Sequence, residues 1–338
     1  MAYDLSQYLV IGISSRALFD LSAEHRIFDE QGLEAYSAYQ LEREDEPMKP
    51  GSGFSLVKGI LALNQLVPGK RKTEVIIMSR NSAETSLRIF NSIKHHGLDI
   101  SRAALTGGAP LAPYLAAYGV DLFLSAHEAD VQEAIDSNVA AARIYDPPDG
   151  HEAVPDQIRI AFDGDAVLFS DEAELIYQLE GLESFLAHEE RNAKKPMAEG
   201  PFAKLLKTLS YLQFETPLKK PPIRTALITA RNTPAHERVI RTLRAWNVRV
   251  DEAHFLGGAP KYPVLRAFRP HIFFDDQDIH LKDAAKEMPV ARVPYPRTAP
   301  QLRVAETLSV SQADRNGAGR ETVEVSKPMT RASQNESD

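Results

Sequence analysis

The sequence contains no cysteine and a single tryptophan among its 338 residues. Without thiols it can have no disulfide framework, thiolate zinc site, iron–sulfur cluster or cysteine nucleophile. Basic residues are in deficit: 39 lysines and arginines stand against 47 aspartates and glutamates, a formal net charge of −8. A chain that wraps nucleic acid usually carries a basic face, so a nucleic-acid partner is not expected. No apolar run approaches the roughly 18 residues that span a bilayer. The opening stretch MAYDLSQYLVIGISS lacks the basic n-region of a signal peptide. The expectation is a cytoplasmic protein with no membrane partner. Apolar residues make up 43% and charged residues 25%, ordinary globular composition. At roughly 150 residues per domain, the length corresponds to about two domains.

The chain is also written twice. ALTGGAPL (104–111) resembles HFLGGAPK (254–261), and YLAAYGVDLFLSAHE (114–128) matches VLRAFRPHIFFDDQD (264–278). Upstream, VIIMSRNSAETSLRIF aligns with ALITARNTPAHERVIR, and IGISSRALF (11–19) parallels IAFDGDAVL (160–168). Four blocks in the same order define a unit covering about 5–131 and again about 157–281. Each copy carries an insertion of about 50 residues after its first strand. The runs IRIAFDG, RTALITA and PHIFFDD are short, β-branched or aromatic, and end in polar residues, the pattern of buried parallel strands. Between the last two, Thr233 and Pro234 read as the cap and first turn of a helix whose apolar face carries Val239, Ile240, Leu243 and Trp246. Alternation of strand and helix predicts a doubly wound α/β fold with ligands at the carboxyl ends of the strands.

The insertion at about 172–222 breaks the rhythm. Leu175, Leu179, Leu182 and Leu186 form one helical stripe and Leu205, Leu209 and Leu212 another, both read as core-facing. The expected organisation is a first lobe over 1–150, a second over 151–300 with this helical cap, and a disordered polar tail over 301–338.

In the second copy, polar groups stand where the strands should end: Asp163 and Asp165, Thr229, Lys261 after the glycine turn, and Asp275 with Asp276. Carboxylates this crowded raise one another's pKa, and a hard divalent cation resolves that cost. Aligned without gaps, the first copy has Ser14 at Asp163, Arg16 at Asp165, Met78 at Thr229 and Leu111 at Lys261. Ser125 and Ala126 replace Asp275 and Asp276, and Arg80 matches Arg231. Each chemical group is missing while the strands and the GGAP turn remain, as in one active and one degenerate lobe.

Residues 158–281 resemble the haloacid dehalogenase-like (HAD) phosphatases, with DGDAV, Thr229, Lys261 and DDQ as the four motifs. The chain to about residue 295 resembles the cytosolic 5′-nucleotidase type I family. That likeness is carried by SSRALFD (14–20), FNSIKHHGLDI (90–100), AFDGDAVLFSDE (161–172), KPMAEGP (195–201) and RPHIFFDDQ (269–277). The resemblance implies a Rossmann-like HAD core with a parallel sheet and Mg²⁺-dependent hydrolysis of a nucleoside 5′-monophosphate. It further implies Asp163 as nucleophile, Asp165 as acid and base, and Thr229 and Lys261 on the phosphoryl group. The metal would be held by Asp163, the Asp165 carbonyl, Asp275 and Asp276. Base and ribose contacts are expected from Phe185, His188, Glu189 and Lys195, with Arg231 a further substrate candidate. A phosphatase of sugar phosphates or other small metabolites, a non-catalytic nucleotide-binding protein, and assembly into a homo-oligomer all stay open. His95-His96 and His127-Glu128 lack the i, i+4 spacing and third ligand of a zinc site and read as surface residues.

Overall fold

The strands are runs of three to seven mostly apolar residues, and the central ones are buried on both faces. In the computed structural model, which describes residues 4–66, 71–148, 157–215 and 221–297, ten strands build one sheet. They are β1 Leu9–Ile13, β2 Thr73–Ser79, β3 Arg102–Leu105, β4 Leu122–Ser125 and β5 Ala141–Ile144, then β6 Ile158–Phe162, β7 Ile223–Thr229, β8 Glu252–Phe255, β9 Ile272–Asp275 and β10 Val290–Arg292. Their order is β3-β2-β1-β4-β5-β10-β9-β6-β7-β8. Every neighbouring pair is parallel except β5–β10, which is antiparallel and joins the two halves into a continuous sheet. Read inward from either edge, the two halves follow the same strand order. The core lies against the sheet faces, with Phe162, Phe202 and Phe274 packed ring to ring beneath the end of β6.

The expected mixed α/β architecture with a mostly parallel sheet is present. The tail over 301–338 lies outside the described residues. No described helix is long and apolar enough to cross a membrane.

Each half inserts a long helix after its first strand, Ser22–Glu42 and Glu172–Arg191. Each is broken by a glycine in the same backbone conformation: Gly32 at φ 84°, ψ −176° and Gly181 at φ 84°, ψ −177°. This break corrects the first leucine stripe. Residues on the two sides of Gly181 do not share a face, and Leu179 and Leu182 are 59% and 57% exposed. The second stripe does face the core, with Leu205, Leu209 and Leu212 all buried on helix Ala203–Glu215. A smaller correction concerns the helix after β7. It begins at His236, and Thr233 and Pro234 belong to the preceding turn. Val239 faces the core, with Leu243 and Trp246 packed at its edge, whereas Ile240 is partly exposed.

The strand registers also move one alignment. Ile13 pairs with Ile77 and Phe162 with Leu227, which places Ser79, not Met78, at the position of Thr229. The hydrogen bonds agree: the Asn81 N–H donates to Ser79 Oγ and the Arg231 N–H to Thr229 Oγ1, each at 3.2 Å. Asn81, not Arg80, is therefore the counterpart of Arg231. Arg80 instead pairs with Asp130.

Beyond the break, the insertion returns to the sheet through a tight contact. The N–H groups of Gly200 and Phe202 donate to the carbonyls of Leu168 and Val167, both at 2.9 Å. A Cβ at Gly200 would collide with the Phe169 carbonyl oxygen and lie 2.6 Å from that of Val167. Backbone on both sides leaves no room to relax. Gly200→Ala should therefore destabilise the protein by about 1–3 kcal/mol, read as a lowered midpoint in urea unfolding. A wild-type midpoint would show that the strand-like contact yields.

Candidate active site

Three parallel strands, β7-β6-β9, end side by side, and the residue at or just beyond each end is polar. Asp163 follows β6, Thr229 ends β7, and Asp275 ends β9 with Asp276 next. All four are buried, as is Lys261, which sits at the start of helix Tyr262–Phe268. The main chain fixes the edge: the Asp163 N–H donates to the Phe274 carbonyl at 2.8 Å. Lys261 Nζ lies 2.7 Å from Asp163 Oδ1 and 2.7 Å from Asp275 Oδ2. Thr229 stands beside Gly164, where a Cβ would come within 3.2 Å of its hydroxyl oxygen. The structure thus brings together Asp163, Thr229, Lys261, Asp275 and Asp276.

The charges do not balance. Three carboxylates, Asp163, Asp275 and Asp276, can place one oxygen each within 4.8 Å of one another, and one ammonium faces them. Burial pushes the Asp163 carboxyl up to about 6, with Lys261 opposing and Asp275 adding to the rise. Burial and the neighbouring carboxylates raise Asp276 well above its ordinary value. Lys261 is held charged: burial alone would lower its pKa, but Asp163 and Asp275 raise it beyond that of a free lysine. An oxygen-only cluster with surplus negative charge fits a hard divalent cation, which takes carboxylate oxygens and keeps positions open for substrate. The Asp165 side chain is not in this cluster, so a metal contact from Asp165 would have to come from its backbone carbonyl.

Asp165 lies in a turn, Gly164–Leu168, that is one residue longer than its counterpart Ser15–Leu18. The Phe169 N–H reaches back to the Gly164 carbonyl, five residues away, whereas the Phe19 N–H reaches Ser15, four away. The extra residue is accommodated by Ala166 at φ 60°. Widened turns of this kind recur at functional sites. The turn directs Asp165 to Arg231, whose Nε and Nη2 donate to its two oxygens at 2.8 and 2.7 Å. Arg231 is itself buried, with its side chain 2% exposed, and its Nη1 donates to Glu189. Burial would lower its pKa, yet Asp165 and Glu189 together raise it.

The remaining substrate candidates are spread out. Glu189 is fully buried under its helix and holds both Arg231 and Arg238. His188 Nε2 accepts from Arg238 Nη1 at 3.1 Å. Lys195 is exposed, and its carbonyl accepts from Arg238 Nε at 3.1 Å. Phe185 is half-buried with the Arg231 guanidinium carbon 5.4 Å from its ring centre. Two residues escaped the sequence reading. Arg238 latches the inserted helix to helix His236–Ala245, and Tyr295, from the segment after β10, donates its hydroxyl to Asp276. Arg238 had a signal, since Arg88 matches it in the first half, but the one-residue slip in the alignment hid the pair.

The sequence profile of the 5′-nucleotidase family matches residues 1–300. Human cytosolic 5′-nucleotidase 1B is 40% identical over 288 residues, covering 82% of this chain and 47% of the human protein. The chain thus spans about half the length of the curated relative it matches. No solved structure matches.

The electrostatics set a pH test. The raised Asp163 pKa means that the folded protein binds this proton more tightly than the unfolded chain. This contribution to stability is present at low pH and is lost as pH rises through about 6. A cation at the cluster must displace such protons, so its affinity should climb over the same range. Mg²⁺ at 100 times its Kd would add about 2.7 kcal/mol to stability. Thermal unfolding with and without Mg²⁺ should therefore show a larger metal-induced rise in Tm above pH 6 than below it. A rise independent of pH would contradict metal binding at these carboxylates.

Proposed function

The chain belongs to the 5′-nucleotidase family, and from that premise we propose that it hydrolyses nucleoside 5′-monophosphates, AMP-like in kind, to nucleoside and phosphate. The observation that carries the reading is the meeting of Asp163, Asp275 and Asp276 with Lys261 at the ends of adjacent parallel strands. One oxygen of Asp163 is engaged by Lys261, leaving the other to attack phosphorus in line. The bond from phosphorus to the ribose oxygen breaks as the bond to Asp163 forms, giving an aspartyl-phosphate. Asp165 gives its proton to the departing oxygen, then takes one from the water that hydrolyses the intermediate. Thr229 accepts from the Arg231 N–H and keeps its own hydroxyl proton to donate to a phosphoryl oxygen. Lys261 neutralises charge on both the nucleophile and the transferring group. Mg²⁺, held by Asp163, Asp275 and Asp276, would add Lewis-acid neutralisation of the phosphoryl oxygens.

The fold is read as a HAD-like Rossmann core over 151–300 with a helical cap at about 172–222, beside a degenerate copy of the same unit over 1–150. Supporting this are the shared strand order and the glycine-broken helices at Gly32 and Gly181. So is the set Ser14, Arg16, Ser79, Leu111, Ser125 and Ala126, which stands where the second half has its chemical groups. Base and ribose would be read by the cap, with Phe185 as stacking surface and His188 and Lys195 at its rim.

The test is phosphate release from a panel of nucleoside monophosphates and sugar phosphates, with Mg²⁺ and with EDTA. Nucleotides should be turned over in preference, only with metal, and Asp163→Asn should cost about 10³-fold or more. Faster release from sugar phosphates would overturn the substrate assignment, and activity surviving Asp163→Asn would overturn the nucleophile.

A further inference from the structure

Among the proposed catalytic groups, Asp165 alone stands off the carboxylate cluster, with both oxygens on Arg231. The guanidinium that holds it is shared with a second carboxylate, Glu189, which comes from the inserted helix and is completely buried. Glu189 is in turn bound by Arg238 at 2.7 Å, and Arg238 reaches Glu172 at 3.3 Å. Charges alternate from Asp165 to the start of the inserted helix.

The first half supplies an internal control. Its latch is the same: Arg88 donates to Gln40 and to the Glu46 carbonyl, as Arg238 does to Glu189 and the Lys195 carbonyl. Each latch arginine also has a carboxylate near the start of its helix, Glu24 or Glu172. The other three positions differ together. Asp165, Arg231 and Glu189 are matched by Arg16, Asn81 and Gln40. The Asn81 side-chain amide donates to the Tyr36 hydroxyl, at the place where Phe185 packs on Arg231. Neutral residues at the positions of Arg231 and Glu189 therefore suffice to pack this corner, with the arginine latch anchoring the helix. The Asp–Arg–Glu set occurs only in the half that carries Asp163, Lys261 and the metal-type cluster.

We propose that Arg231 and Glu189 are positioning residues that present Asp165 to the leaving oxygen: Glu189 gives the buried guanidinium a second anion to keep, so that Asp165 can turn from Arg231 to the substrate and back. A buried cation stripped of its counter-ion is costly. With Glu189 in place Arg231 never meets that cost, and Asp165 is held without being locked. The inserted helix thereby sets the acid that acts on the substrate below it. The inference rests on the reading of Asp165 as acid and base.

Rapid-quench measurement of the first phosphoryl transfer, read as phosphoenzyme formed, tests it in two substrate classes. One is AMP, whose ribose oxygen needs a proton to depart. The other is p-nitrophenyl phosphate or, if its ring does not enter the pocket, acetyl phosphate, whose leaving groups depart as stable anions. Glu189→Gln should slow transfer from AMP by roughly ten- to hundredfold, a part of the 10²–10⁴ that a positioned acid supplies. Transfer from the activated ester should fall less than about threefold. Arg231→Lys, whose ammonium cannot hold both carboxylates with one planar fork, should behave alike and carries the test if Glu189→Gln does not fold. Equal losses on both substrates in the folded variants would overturn the proposal in favour of a packing role. Asp165→Asn separates the two readings. If it spares the activated ester while the Glu189 and Arg231 variants do not, the acid assignment stands and the positioning role falls. If it shows no such selectivity, the acid assignment itself fails.

Discussion

Three buried carboxylates facing one ammonium at the end of a parallel sheet form the constraint on which the rest of this structure depends. The fold must hold Asp163, Asp275 and Asp276 together despite their repulsion, and it does so with main-chain N–H groups and two side chains. Asp163 is bonded into β9 through the Phe274 carbonyl, Asp275 accepts from the Gln277 N–H at 2.9 Å, and Asp276 is tied by Tyr295. Lys261 bridges two of the three. The surplus negative charge fits this edge for a hard cation.

The two halves show which features belong to the scaffold and which to the chemistry. Strand order, the glycine break, the latch arginine and its carbonyl partner recur in both. The widened turn after the first strand, the carboxylates, the lysine and the Asp165–Arg231–Glu189 set occur in one. Within a single chain, the first half meets the same packing problem with neutral Asn81 and Gln40 at the positions of Arg231 and Glu189.

Much of this was legible in the sequence. The strand ends at Phe162, Thr229 and Asp275 follow from apolar runs that stop at a polar residue, and parallel pairing then brings Asp163, Lys261 and Asp275 together. Legibility failed where side chains a helix apart meet. Glu189 reads as a base or ribose contact, and only the fold shows that it turns inward to two arginines. Lys195 reads as a base or ribose contact, and the fold shows its carbonyl holding the Arg238 guanidinium. Leu179 and Leu182 looked like core because helical periodicity assumes an unbroken helix, and Gly181 breaks it. The ungapped alignment missed the residue that widens the Gly164–Leu168 turn, and its slip at β7 set Met78 where Ser79 belongs. That displacement hid both the Arg88–Arg238 pair and the Asn81–Arg231 exchange.

The central claim is that Asp163 carries the phosphoryl group covalently, and chemical trapping tests it most directly. Turnover of a nucleoside monophosphate would be quenched and the protein reduced with borohydride, which converts an aspartyl-phosphate to homoserine, before peptide mass spectrometry. The account predicts a substrate-dependent loss of the aspartate mass at residue 163 and at no other carboxylate. Reduction at a different residue, or none while phosphate is being released at the full rate, would contradict it.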